Sequence, residues 1–185
     1  LDVIGEWEKE TGKKATVALS ATKDVQDAIL NDTQRAKLVD IIDIRYWHYK
    51  VDGLYAPEGG KNLAPRQHAR KMKVGKVTFD EAYRAVSEYR KKFPEKAVTY
   101  YAQNYPDMAW AVFMASGSCS VVPVADESFL TDAAAMDMED TGTNKYQKLV
   151  KSGIGSIIYS HPATDIPVHL SPGKYILKSV DPKTG

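Results

Sequence analysis

The residues of this chain with most to offer chemically are carboxyl groups placed just after predicted strands. Glu58 lies on a long loop, residues 50–77, that leaves the aromatic end of a strand predicted over 41–49. Asp107 follows a strand predicted over 97–102, and Asp126 and Glu127 follow a brief one over 121–124. Glycosidic cleavage needs two carboxyls flanking one bond, roughly 5 to 9.5 Å apart. Glu58 and Asp107 lead the candidates, Glu58 first because its loop leaves the strand end richest in aromatic and polar groups. The plainer reading is that these are solvated loop carboxylates, with Asp107 decorating a helix N-terminus. Trp47, Tyr49, Tyr55, Tyr101 and Tyr105 could stack on sugar rings, because an aromatic face is broad and apolar while its edge still offers a hydrogen bond. Eleven tyrosines also suit an ordinary core.

The central strand carries the densest set. In β alternation Asp43, Arg45, Trp47 and Tyr49 share one face, opposite Ile42, Ile44, Tyr46 and His48. The first set is expected to face the site, and a bulge near the strand end would bring in His48 as well. No metal is expected, since His48, His68, His161 and His169 lie in segments of different character with no ligand spacing. No cofactor is expected either: the glycines fit neither phosphate-cradling motif. Lys61, Arg66, His68, Arg70, Lys71, Lys73 and Lys76 form a basic run that reads as a solvated loop, or as a surface for an acidic sugar. The lone Cys119 excludes an intrachain disulfide framework and a multi-thiolate zinc site. With 25 Lys and Arg against 24 Asp and Glu, no global field draws nucleic acid or an anionic membrane, and no apolar run is long enough to span a bilayer.

The elements that must position these groups follow from pattern. A helix is predicted over residues 1–11 with Gly12 as its stop, a strand over 15–21, a helix over 23–30 capped by Thr22, and the central strand over 41–49. Thr78-Phe79-Asp80-Glu81 is a capping box for a helix that Pro94 ends. A strand over 97–102 comes next, then a helix from Pro106 to about residue 116 that is apolar on all sides over 108–114. Strands predicted over 154–159, 166–170 and 174–180 are split by His161-Pro162, Pro172-Gly173 and Asp181-Pro182. Alternating helices and strands indicate a parallel α/β sheet. The expected fold is therefore α/β: residues 1–142 as the C-terminal half of a TIM (β/α)8 barrel, which in full takes roughly 250 residues, and 143–185 as the beginning of a small antiparallel, β-sandwich-like domain. The missing half is expected before Leu1, or another chain over the open sheet edge.

In this order, residues 40–49 (DIIDIRYWHY) resemble the sixth barrel strand of clan A glycoside hydrolases. Residues 96–103 (KAVTYYAQ) with 110–117 resemble their seventh strand and following helix. Residues 169–185 look like the start of the collagen-binding-type β-domain that follows such barrels in Bacteroidetes-type glycosidases. The resemblance implies a glycoside hydrolase acting on a polysaccharide or oligosaccharide in the periplasm or outside the cell. It places Arg45, Trp47, His48, Tyr49, Tyr55, Tyr101, Gln103 and Asn104 around the sugar. One departure stands out: the family's seventh strand ends in a nucleophilic glutamate, and this one ends in Gln103, which cannot form a glycosyl ester. The alternative is a non-catalytic carbohydrate-binding barrel that has lost its nucleophile.

Overall fold

In a computed structural model, which describes residues 1–55, 77–101, 106–124, 126–160 and 164–185, the side chains of Tyr55, Pro106 and Asp107 lie outside the description. Two compact units result, Leu1–Ser120 and Val121–Gly185. The first unit runs α1 (Asp2–Thr11), β1 (Ala18–Leu19), α2 (Lys23–Asn31), α3 (Thr33–Ala36), β2 (Ile41–Ile44), β3 (His48–Lys50), β4 (Gly53–Tyr55), α4 (Phe79–Lys92), β5 (Ala97–Tyr100) and α5 (Pro106–Met114). The second runs α6 (Glu127–Ala134), β6 (Asp137–Glu139), β7 (Tyr146–Lys151) and β8 (Gly155–Ser160).

Local chemistry sets the helix ends. Gly12 adopts φ 67°, a left-handed turn that L side chains resist, and its N–H bonds the Glu8 carbonyl at 2.9 Å to close α1. The Glu8 side chain then accepts from Lys14 Nζ at 2.7 Å and from the Ala15 N–H at 2.9 Å, which leads the chain toward β1. These bonds, the one from Lys14 foremost, hold its carboxyl below the usual range. At α4 the capping box forms as the sequence predicts: Thr78 Oγ1 accepts from the Glu81 N–H, and Glu81 accepts from the Thr78 N–H at 2.8 Å. The buried stripe of α4 is Ala82, Ala85, Val86 and Tyr89.

β1, β2 and β5 form a parallel sheet in the order β1-β2-β5, with Ala18 opposite Ile41 and Ile41 opposite Ala97. Ile42, Ile44 and Val98 point into the core. The predicted strand over 41–49 is two strands: β2 stops at Ile44, and His48 begins β3, which turns at Val51-Asp52 to pair antiparallel with β4. Aromatic and β-branched residues mark a segment as buried, but not the ladder it joins. Here Trp47, His48 and Tyr49 are buried after the chain has left the parallel sheet.

The half-barrel expectation is overturned. Among the described residues the parallel sheet has three strands and no barrel is formed. Residues 121–124, expected as the fourth strand, form none. Pro123 within them lacks the N–H that a ladder needs. The second unit holds a three-stranded antiparallel meander in the order β6-β7-β8. It begins before residue 143, because β6 pairs with β7 through Asp137 opposite Val150. Residues 166–170 and 174–180 form no strands, and Ile176 and Leu177 are exposed.

Candidate binding site at the C-terminal edge of the parallel sheet

Parallel sheets are normally covered on both faces. This one buries Ile42, Ile44 and Val98 on one side, and its other side carries Asp43 and Thr99 beside Ala18, Ile41 and Ala97. Asp43 and Thr99 are register partners on β2 and β5. Thr99 Oγ1 donates to Asp43 Oδ1 at 3.0 Å, and Ser20 Oγ, just past β1, donates to Asp43 Oδ2 at 2.8 Å. One residue past β2, Arg45 brings its Nε to 3.0 Å from the same Oδ2. The Arg45 guanidinium lies 5.2 Å from the ring centroid of Tyr101, whose N–H bonds the Ile44 carbonyl at 3.1 Å and so extends the ladder by one residue. The Asp43 side chain is 13% exposed and that of Arg45 49%. An ion pair this open contributes less than about 1 kcal/mol to stability, so its consequence is placement of the guanidinium. Tyr101 is 38% exposed.

The strand ends carrying this row are held from below by Gln26 of α2. Fully buried, Gln26 donates through Nε2 to the carbonyls of Leu19 and Asp43, both at 2.9 Å, and its Oε1 accepts from Trp47 Nε1 at 2.7 Å. One amide thus ties β1, β2 and the segment leading into β3. Next to it, Lys23 Nζ reaches Asp27 and Glu88, each at 2.9 Å, and lies 5.2 Å and 5.0 Å from the ring centroids of Trp47 and Tyr89. Burial pulls the Lys23 ammonium down, but the bonds and charges of Glu88 and Asp27 outweigh it and leave its pKa raised. Tyr49 donates its hydroxyl to Glu88, and Tyr89 donates to Asp27 at 2.7 Å. Burial, reinforced by Glu88, pushes Tyr49 up to about 12, and burial with Asp27 raises Tyr89 as well.

Several expected site residues therefore change role. Trp47, at 1% exposure, stands edge-on to Tyr49 and Tyr89 at 5.4 Å and 6.0 Å. Tyr49 and His48 are buried too, and burial, with Lys50 nearby, holds the His48 pKa down. Buried rings present no face to a ligand, so Trp47, His48 and Tyr49 are corrected from sugar-site to core residues. Arg45 and Tyr101 do come together on the open face. Tyr55 pairs with His48 in the hairpin, and Asp107 stands in the first turn of α5, the helix to which β5 leads. Glu58, Gln103, Asn104 and Tyr105 lie outside the described residues. Asp126 caps α6, accepting at Oδ1 from the N–H groups of Ser128 and Phe129 and from the Ser128 hydroxyl, which lowers its pKa.

Ser20, Thr99 and Gln26 are the groups that sequence reasoning passed over. The alternation that put Asp43 and Arg45 on one face was the available signal for the site, but the two hydroxyls on neighbouring strands become visible only with the register. Among the described residues no three His, Cys, Asp or Glu side chains converge as a metal site, and no helix is long and apolar enough to cross a membrane.

A three-stranded parallel sheet with helices packed on it defines the first unit as α/β. Residues 1–136 match the family described as a domain of unknown function, DUF6298, and the chain belongs to that family. No curated protein and no solved structure matches it.

Proposed function

We propose that this chain binds carbohydrate on the open face of its parallel sheet. Arg45 and Tyr101 face the ligand, and Asp43 holds Arg45 in place. The observation that carries this reading is the Asp43–Arg45–Tyr101 arrangement: an anchored guanidinium over a part-exposed phenol ring, with two hydroxyls beside it. A sugar offers a rim of hydroxyls around patches of C–H, and this face offers hydrogen-bonding groups beside an aromatic surface. Isothermal titration of the chain against a panel of soluble polysaccharides tests it. Arg45→Ala and Tyr101→Ala should each weaken binding by roughly tenfold, the scale of one lost charge-assisted or stacking contact. Binding that ignores both substitutions would remove this face from consideration.

Hydrolysis is the second reading, with Glu58 and Asp107 as the carboxyl pair. It is supported by the backbone position of Asp107, in the first turn of the helix to which β5 leads and so in the chain segment after Tyr101. Asp107→Asn should lower the release of reducing ends by roughly 10²- to 10⁴-fold while leaving binding in place. An unchanged rate would end this assignment of Asp107.

A further inference from the structure

We infer that the outer edge of β6 takes residues 174–180 of a second copy of this chain as an added antiparallel strand, in a reciprocal exchange. The segment (KYILKSV) has the composition of a strand, yet among the described residues it joins no ladder. Ile176 is 89% exposed and Leu177 96%. Polar contacts tie it down at two points: Tyr175 donates its hydroxyl to the Ser171 carbonyl at 2.6 Å, and Lys178 Nζ lies 3.8 Å from Asp126 Oδ2. A segment with apolar side chains in water and a backbone outside any ladder is suited to strand addition, in which main-chain bonds supply affinity and alternate side chains select the edge.

The sheet β6-β7-β8 has two edges, and β6 is the one whose side chains select this segment. Met138 opposes Leu149, which in turn opposes Ile157, so one face of the sheet is an apolar row centred on the buried Leu149. The other face of β6 carries Asp137, whose side chain is 84% exposed, and Glu139, at 43%. Glu139 already bonds Lys148 at 2.7 Å, but a carboxylate has acceptor positions for more than one donor. The segment alternates to match: Tyr175 and Leu177 fall on one side, and Lys174, Ile176 and Lys178 on the other. With Leu177 set against Met138 in an antiparallel register, Lys178 stands opposite Asp137, and Glu139 has Lys174 and Lys178 as its diagonal neighbours. The apolar row gains a fourth member and the acidic edge two ammonium groups. Two β6 strands pairing with each other would instead set carboxylates against carboxylates. The β8 edge (GSIIYS) holds no charge with which to select lysines. A second copy is the occupant because this chain supplies both the acidic edge and the lysine-bearing strand, while its own Lys178 sits at Asp126 rather than on β6. Exchange about a two-fold axis closes at a dimer.

The test is sedimentation velocity of the full chain over a concentration series. The expected species is a dimer at twice the 20.5 kDa of one chain. Asp137→Lys and Lys178→Glu should each weaken it roughly tenfold, because each reversal acts at both ladders. Combined in one chain, the two reversals should restore the parent's affinity, since opposite charges face each other again. Asp126→Asn removes the charge beside Lys178 within one chain and should leave the dimer intact. Leu177→Asp should abolish it. That side chain is 96% exposed in the single chain, so at concentrations where the parent is also monomeric the variant should melt within a few degrees of it. A chain that is monomeric throughout overturns the inference. So does a dimer that survives Leu177→Asp, or one that the combined reversals fail to restore, which would put the segment on another edge.

Discussion

Gln26 shows how far one side chain governs this fold. Its amide gives both N–H groups to carbonyls at the ends of two strands and takes the indole N–H of Trp47, three hydrogen bonds of 2.7 to 2.9 Å made by a side chain that is itself fully buried. Removing a buried partner costs roughly 1–3 kcal/mol for each group left unsatisfied. Gln26→Glu keeps the shape but sets carboxyl oxygens against the Leu19 and Asp43 carbonyls. It should destabilise the chain by about 2–4 kcal/mol near neutral pH, and less in mild acid where the carboxyl regains a proton. Urea denaturation at the two pH values measures this, and an unchanged midpoint would show that the clasp contributes little. In the sequence Gln26 is one polar residue among several on an ordinary amphipathic helix. Its burial follows from the position of Trp47, which no local pattern supplies. Arg45 was readable as pointing away from the core because it shares the face opposite Ile42 and Ile44, and the same alternation extended to Trp47 and Tyr49 misled, since the strand ends before them.

At the scale of elements, legibility tracks how local the determinant is. The capping box at Thr78 and the left-handed Gly12 depend on neighbours within a few residues, and both were readable directly. Thr78→Ala should cost about 1 kcal/mol, the usual loss for an N-cap hydroxyl. The end of α5 depends on packing against α4 instead. After Met114 the chain turns so tightly that Gly117 donates its N–H to the Val112 carbonyl at 2.8 Å. A Cβ at Gly117 would stand 2.5 Å from Val112 Cγ1, 2.8 Å from the Val112 carbonyl oxygen and 2.9 Å from Val86 Cγ1. Side chains could rotate away, but the carbonyl oxygen could not without opening the turn. Gly117→Ala should therefore cost about 1–3 kcal/mol, seen as a lower thermal midpoint, and a neutral result would mean that the α4 and α5 packing yields there. The strand predicted over 121–124 failed for a related reason: a short apolar run becomes a strand only where a ladder is open to it, and the edge of β5 already receives the Ser118 N–H on the Val98 carbonyl at 2.7 Å.

Across the whole molecule the two kinds of charge nearly cancel, at +1 overall, so its response to pH comes from a few groups whose surroundings differ between folded and unfolded chain. The His48 pKa is depressed from 6.5, so the unfolded chain binds the proton more readily and stability falls as pH drops through 6.5 and below. Two groups beneath the sheet act on the alkaline side. The Lys23 pKa is raised above 10.5, so its contribution is complete below that value and is lost as pH climbs through the folded-state pKa. Tyr49 moves from 10.0 to about 12, so between those values the unfolded chain releases a proton that the folded chain keeps, and each step upward in pH favours unfolding. The thermal midpoint should thus be level from about pH 7 to pH 10 and fall steeply above. Tyr49→Phe should lower the midpoint in the plateau, because a hydrogen bond to the Glu88 carboxylate worth about 1–3 kcal/mol is gone. It should also make the alkaline decline shallower, since one of the groups that releases its proton early on unfolding has been removed. Melting curves of parent and variant across pH 8 to 11.5 would decide this: parallel curves would exclude Tyr49 as a source of the alkaline slope, and converging curves would assign it to the Tyr49–Glu88–Lys23 cluster.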